Sequence, residues 1–216
     1  MSADRHSQAD PVELISDPEE KARREAENGV RQFKAALEIV RASIQKPDQK
    51  FRLTQALILE LHHKALEGIH PLAGTYRNSA VYIGQSNHFP PKHVEVPDYV
   101  AEMCGYVNEH WEERNAIHLA AYILWRMNWI HPFADGNGRT ARVVSYVVLS
   151  TKLDSLLPGT PTIPDQIASD KTPYYSALEN SDDSWKRGIL ALSDMEEMLE
   201  TMLAKQLLSA TEEAAT

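Results

Sequence analysis

One twelve-residue stretch concentrates side chains that do chemistry: His131-Pro132-Phe133-Ala134-Asp135-Gly136-Asn137-Gly138-Arg139-Thr140-Ala141-Arg142. A hydrophobic helical pattern ends at Ile130, a glycine-rich turn follows, and a new helix is expected to begin near Gly138. Backbone N–H groups in such a turn, at a helix start, form an anion-binding concavity. Gly136 and Gly138 let the backbone approach an anion closely and reach conformations closed to other residues. Arg139 and Arg142, three positions apart, project from one face near the positive end of that helix. Two guanidinium groups beside exposed amides repel each other unless an anion sits between them, and a polyphosphate satisfies that arrangement. Asp135 is repulsive beside phosphate on its own, but makes sense if Mg²⁺ or Mn²⁺ bridges the two. His131 lies at the rim of this site with a ring that exchanges protons near neutral pH. Any one of these residues alone would read as a core histidine or a solvated arginine; all of them together within one turn do not.

The elements that must position this turn are helices. Ser16-Asp17-Pro18-Glu19 has the spacing of a capped helix start, and Asn28-Gly29 suits a left-handed helix end, which predicts a helix over 17–28. Val30, Phe33, Leu37, Val40 and Ile44 predict a second helix, broken at Lys46-Pro47-Asp48. Further helical periodicity covers 52–67, 99–111, 117–130, 139–153, 174–180 and 193–208, with Pro158, Pro161 and Pro164 punctuating a loop. Met195, Met198, Leu199, Met202 and Leu203 form one apolar stripe of the last helix and read as core packing. Only Thr75–Arg77 and Ala80–Gly84, flanking Asn78-Ser79, look strand-like, and they predict a small β-hairpin closed by Pro90-Pro91. The expected class is all-α with that one hairpin. The expected organisation is a disordered arm over 1–15, N-terminal helices over 16–50, a core over 51–190, and a C-terminal helix and tail over 191–216.

Composition narrows the function classes. The net charge of -9 and the absence of a basic stripe interleaved with aromatics exclude broad nucleic-acid binding, though not a small nucleotide. The polar N-terminus has no secretory signal, and the apolar stretch near Ala120–Ile130 is interrupted by Arg126 and Asn128 and too short to span a bilayer, so a cytoplasmic protein with no membrane segment is expected. The single cysteine, Cys104, fits a reducing compartment and reads as a small buried residue. His62, His63, His70, His88 and His93 have no metal-ligand spacing and read as surface or packing residues, with His88 near the hairpin. A homo-oligomer is compatible with all of this.

The stretch from His131 to Arg142 resembles, position for position, the signature of the Fic (filamentation induced by cAMP) domain family, His-Pro-Phe-x-Asp/Glu-Gly-Asn-Gly/Lys-Arg-x-x-Arg. The resemblance extends from about residue 55 to 190, with Gly74–Arg77, Val81, Ile83, Gly84 and Pro90-Pro91 similar to the family's flap hairpin, and Thr162–Pro164 and Tyr174–Leu178 similar to its C-terminal part. It implies a Fic-fold helical bundle that moves AMP from Mg²⁺-ATP onto a Ser, Thr or Tyr hydroxyl of a protein. His131 would be the base, Asp135 the metal holder, and Gly136, Asn137, Gly138, Arg139, Arg142 and Tyr174 the nucleotide-binding set. Val81, Tyr82 and Ile83 would face the target, held as an added strand. Gly138 favours AMP transfer, because Doc-like relatives that transfer a phosphoryl group have lysine there. Asp182 stands where many relatives have an asparagine that contacts the nucleoside, and Glu27-Asn28 resembles the end of an inhibitory helix, with Arg23 in place of its Ser or Thr. In that resemblance Glu27 would pair with Arg142 and act as a brake; Ser193–Glu197 is a second, weaker candidate for that motif. Transfer of UMP or a phosphoryl group, and a catalytically quiet nucleotide-binding or toxin–antitoxin module, are the rival readings. The intact His131 speaks against the quiet module.

Overall fold

The computed structural model describes residues 7–8, 14–46, 48–84 and 86–214. Two helices form the centre. α4 (Ala116–Ile130) is apolar around nearly its whole circumference, and α5 (Asn137–Lys152) buries Val143, Val144, Tyr146, Val147, Val148 and Leu149. A helix that is hydrophobic all round must be enclosed by others. α3 (Val96–Glu109) covers one side of α4, while α8 (Ser193–Ala214) and α7 (Thr172–Lys186) cover another. α1 (Pro18–Ile44), α2 (Gln55–Leu66) and the short α6 (Ile163–Ser169) pack on or beside α5. Met195 and Leu199 are fully buried and Met198 nearly so, so the methionine stripe of α8 is core packing. Truncating a residue such as Leu119, buried to 0% exposure, would cost about 2–5 kcal/mol.

Helix starts follow the sequence signals: Asp17, Thr54, Asn115 and Thr162 each cap a first turn with a side-chain oxygen. The stop expected at Asn28-Gly29 does not occur, and α1 runs through it as one helix of 27 residues. A glycine inside a helix costs about 1 kcal/mol relative to alanine. Tertiary contacts outweigh that: Asn28 Nδ2 donates to the carbonyls of Ala65 (3.2 Å) and Glu67 (2.9 Å), and Gln32 Nε2 to that of Leu61 (3.1 Å). These bonds fasten the middle of α1 to the C-terminal turn of α2, whose last carbonyls need such donors.

The hairpin is a second difference. Of its two expected arms only β2 (Tyr82–Ile83) is a strand, and its antiparallel partner is β1 (Ser7–Gln8). Residues 75–77 turn inward instead, because Arg77 is drawn into the core by backbone acceptors described below. The disordered arm expected over 1–15 lies mainly outside the described residues; within it, Ser7 and Gln8 form β1.

Candidate active site

The loop 131–136 joins the two central helices and is held from several directions. His131 ends α4 in the left-handed region, at φ 51° and ψ 60°. For a non-glycine residue that costs roughly 1–3 kcal/mol and persists only where its surroundings enforce it. Arg77 enforces it: its backbone N–H donates to the Pro132 carbonyl (2.9 Å), its Nε to the His131 carbonyl (2.8 Å), and its Nη1 and Nη2 to those of Ser79 and Pro91. Burial lowers the guanidinium's pKa, as expected for a cation bonded only to neutral carbonyls. Phe133 is fully buried and stacks on His62, with ring centroids 3.6 Å apart. His62 Nδ1 accepts from the Gly74 N–H (3.0 Å), so its Nε2 carries the proton it donates to the Asp135 carbonyl (3.0 Å). Asn137 closes the loop through its amide, accepting from the Phe133 N–H (2.9 Å) and donating to the Phe133 carbonyl (2.8 Å). Gly136 sits at φ 75° with its α-carbon against Leu66, where an added Cβ would lie 3.3 Å from Cδ2. A side chain there would be both strained and crowded.

This loop and the start of α5 form one wall of a cavity, lined by His131 and by Asp135 through Arg139, with Arg142 one turn on. The helix start directs its first-turn amides and dipole at the space, and Arg139, Arg142 and Lys171 add three cationic side chains. Trp129, Tyr174, Tyr175, Leu178 and Ile83 supply the less polar remainder. Asp135 Oδ1 accepts from the Gly136 N–H (2.6 Å), leaving its second oxygen with no partner among the described residues. No group of three or more His, Cys, Asp or Glu side chains able to hold a metal occurs among the described residues. A single carboxylate suits Mg²⁺, which usually takes one or two protein carboxylates and completes its shell with substrate phosphates and water.

Burial pulls the pKa of His131 down to about 3, reinforced by the nearby Arg77 and His88 and opposed by its hydrogen bond to the Asn128 backbone and by Asp135. His131 is therefore a neutral imidazole able to accept a proton. His88 Nε2 donates to the Trp129 carbonyl (2.7 Å), and its Nδ1 lies 4.0 Å from Asp182 Oδ2. Asp182 Oδ1 accepts from Trp125 Nε1 (2.8 Å). Tyr174 accepts from Asn128 Nδ2 (2.5 Å) and is almost wholly buried.

The structure gathers His131, Asp135, Gly136, Asn137, Gly138, Arg139, Arg142 and Tyr174 around one space, with Ile83 and Asp182 across it. Three expectations change. Val81 is buried, while Tyr82 is exposed and Ile83, on the opposite face of the strand, lines the cavity. The Asn137 side chain clamps the loop. Glu27 pairs with Arg23 at 3.4 Å on the half-exposed side of α1, while Glu25 of the same helix lies 3.7 Å from the signature residue Arg139. Two residues along a helix are about 200° apart, so Glu25 and Glu27 cannot face the same neighbour. Arg77, His62 and Lys171 escaped the sequence reading. Arg77 and His62 act through backbone contacts with distant loops, which carry no local signature. Lys171 precedes the helix start Thr172-Pro173 and could have been noticed as a cation beside Tyr174.

Residues 52–149 match the model of the Fic/DOC family. The chain is 35% identical over 103 residues to the protein adenylyltransferase Fic of Drosophila persimilis, covering 47% of this chain and 20% of that protein. It is 37% identical over 108 residues to the protein of the same name from Drosophila grimshawi, covering 47% and 21%. The matched stretch thus spans about a fifth of the length of these relatives. Among solved structures, a Fic family protein from Desulfovibrio desulfuricans superposes with TM-score 0.62 at 19% identity, covering 93% of this chain and 68% of that one. Fic-1 from C. elegans superposes at 0.66 and 21% identity, covering 87% and 52%. BepC of Bartonella tribocorum, with bound AMPPNP, superposes at 0.52 and 12% identity, covering 87% and 88%. The signature loop, held between the two central helices, lies within residues 52–149, the segment that matches the Fic/DOC family.

Proposed function

We propose that this chain transfers AMP from ATP, with Mg²⁺ or Mn²⁺, to a Ser, Thr or Tyr hydroxyl of a protein. The observation that carries this reading is a neutral, buried His131 at the edge of a cationic helix start built from Gly136 to Arg139 and Arg142. Relatives named as protein adenylyltransferases and the AMPPNP bound by BepC support the choice of donor.

The α5 amides, Arg139 and Arg142 bind the polyphosphate. Asp135 would hold the cation, which when bound neutralises phosphate charge. His131 takes the proton of the attacking hydroxyl as its oxygen bonds to the α-phosphorus and the bond to pyrophosphate breaks. β2 would hold the target by main-chain hydrogen bonds of the kind it makes with β1. Glycine at 138, where Doc-like relatives that transfer a phosphoryl group have lysine, supports AMP transfer over phosphoryl transfer.

The test is incubation with lysate and ATP labelled at the α- or the γ-phosphate. Label from the α-phosphate on protein, lost in His131→Ala although that variant still binds ATP, is expected. Protein label from the γ-phosphate would replace this reading with phosphoryl transfer, and label only from α-labelled UTP with UMP transfer.

A further inference from the structure

Arg126 of α4 is 2% exposed and does not line the cavity. Its Nη2 donates to Glu102 Oε1 of α3 (3.0 Å), a side chain 58% exposed. Its Nε and Nη1 are buried with no hydrogen-bond partner among the described residues. What surrounds the guanidinium instead is aromatic. Its central carbon lies 4.3 Å from the ring centroid of Trp129, 5.0 Å from that of Trp185, and 5.5 Å from those of Trp125 and Tyr99. A desolvated cation over ring faces is attracted by their quadrupoles, and by tryptophan most of all. The rings therefore stand in for the missing acceptors, although the arrangement carries a desolvation cost that an apolar side chain of similar size would avoid.

Two of these rings reach the polar groups of the cavity. Trp129 lines the cavity, packs 5.5 Å from the His88 ring, and accepts the His88 Nε2–H at its carbonyl (2.7 Å). Trp125 donates its Nε1–H to Asp182 Oδ1 (2.8 Å), and Asp182 Oδ2 lies 4.0 Å from His88 Nδ1. Trp129, His88 and Asp182 thus form one wall of the cavity, and each is tied to Arg126 directly or through a tryptophan. With the polyphosphate taken by the α5 amides, Arg139 and Arg142, this wall is what remains for the nucleoside. We propose that Arg126 is a positioning residue for the nucleoside: a planar guanidinium packed against Trp125 and Trp129 fixes those rings, and the rings fix where Asp182 and His88 stand. This rests on the reading above that the cavity binds ATP.

The test measures direct binding of Mg²⁺-ATP and of Mg²⁺-tripolyphosphate, which offers the α5 end a similar charge without a nucleoside, beside steady-state transfer. Arg126→Met is expected to melt at the wild-type temperature or above, since it removes a buried charge and leaves Glu102 to solvent. Its affinity for ATP should fall about fivefold or more, while its affinity for tripolyphosphate stays within about twofold of wild type. Its kcat at saturating ATP should stay within about twofold, because Arg77, His62 and Asn137 still hold the loop that carries His131. Trp125→Phe keeps a ring but removes the donor to Asp182, and should split ATP from tripolyphosphate in the same direction, which decides the matter if Arg126→Met does not fold. Unchanged ATP affinity in these variants, or a parallel loss of ATP and tripolyphosphate, overturns the proposal. A wild type that binds tripolyphosphate as tightly as ATP overturns it as well. The expected split in a chain that transfers nothing upholds the role of Arg126 and sinks the AMP-transfer reading alone.

Discussion

Arg77 and His131 are 54 residues apart in sequence and joined by a 2.8 Å hydrogen bond from the guanidinium Nε to the histidine carbonyl. That bond holds the left-handed residue that ends α4, so the position of the imidazole depends on a side chain from the segment before β2. Arg77→Lys keeps a charge but cannot serve three carbonyls at fixed angles. Each buried carbonyl left unsatisfied costs about 1–3 kcal/mol. The expected result is a lowered melting temperature and kcat reduced by about tenfold or more, with KM for ATP much less affected, since the α5 amides and arginines are untouched. A proportional rise in KM at constant kcat would show that Arg77 shapes the nucleotide site and not the base.

The chemistry of this site was legible because it is local. His131 to Arg142 occupy one turn and one helix start, so residue type and spacing suffice to describe them. The parts that hold it were not legible. His62 bonds to a carbonyl 73 residues away, and Arg77 bonds to carbonyls on three segments; neither interaction constrains a neighbouring residue type. Gly29 gave a correct local signal that Asn28 and Gln32 overrode by binding α2. The hairpin failed because strand pairing is decided by what lies alongside, and the edge of β2 met residues 7–8, far away in sequence.

Acid should affect the base less than a free histidine would suggest. The neutral imidazole is the competent form, and a pKa lowered to about 3 keeps it neutral far below pH 6.5. Bound polyphosphate opposes that shift and brings it part of the way back. Transfer at saturating ATP and cation is therefore expected to hold nearly level from pH 7.5 to 5.5. A tenfold fall per pH unit beginning at 6.5 would mean that His131 titrates as an exposed residue.

Stability has the opposite sensitivity. Burial lowers His62 to about 4 and His131 to about 3, while the same rings in the unfolded chain protonate near 6.5. The unfolded state therefore binds more protons below pH 6.5, and the stabilising effect present above that value is lost as pH falls toward the folded pKa values. Each ring contributes a slope of up to roughly 1.4 kcal/mol per pH unit. Denaturant midpoints should drop between pH 7 and 5, and His62→Gln should flatten part of that drop while lowering the midpoint at pH 7. An equal slope in the variant would remove His62 from the effect.

Asp135 can be separated from the rest of the site by its dependence on cation. Asp135→Asn retains an oxygen for the Gly136 N–H, which the wild-type carboxylate holds at 2.6 Å, so the loop should keep its shape. The charge that would favour a divalent cation is gone. EDTA is expected to abolish transfer by the wild type, and the variant to need at least tenfold more Mg²⁺ for half-maximal rate. Wild-type turnover undiminished in EDTA would remove the cation from the reaction.

The last prediction separates two glutamates on one helix. Glu25 Oε1 is 3.7 Å from Arg139 Nη2, with the two side chains 34% and 29% exposed. Glu27 pairs with Arg23, both at least half exposed. A phosphate group that binds Arg139 must compete with Glu25, whereas Glu27 competes with nothing in the cavity. At this distance and exposure the ion pair is worth roughly 0.2–1 kcal/mol, which corresponds to an effect of between about 1.4-fold and fivefold. Glu25→Ala is therefore expected to lower KM for ATP within that range, with little change in stability, and Glu27→Gly to leave it unchanged. Raised ionic strength should shrink the difference between Glu25→Ala and the wild type, because the contact is partly exposed. If Glu27→Gly raised transfer while Glu25→Ala did not, α1 would have to rotate by about half a turn in the active enzyme, and the Asn28 and Gln32 bonds to α2 would have to break with it.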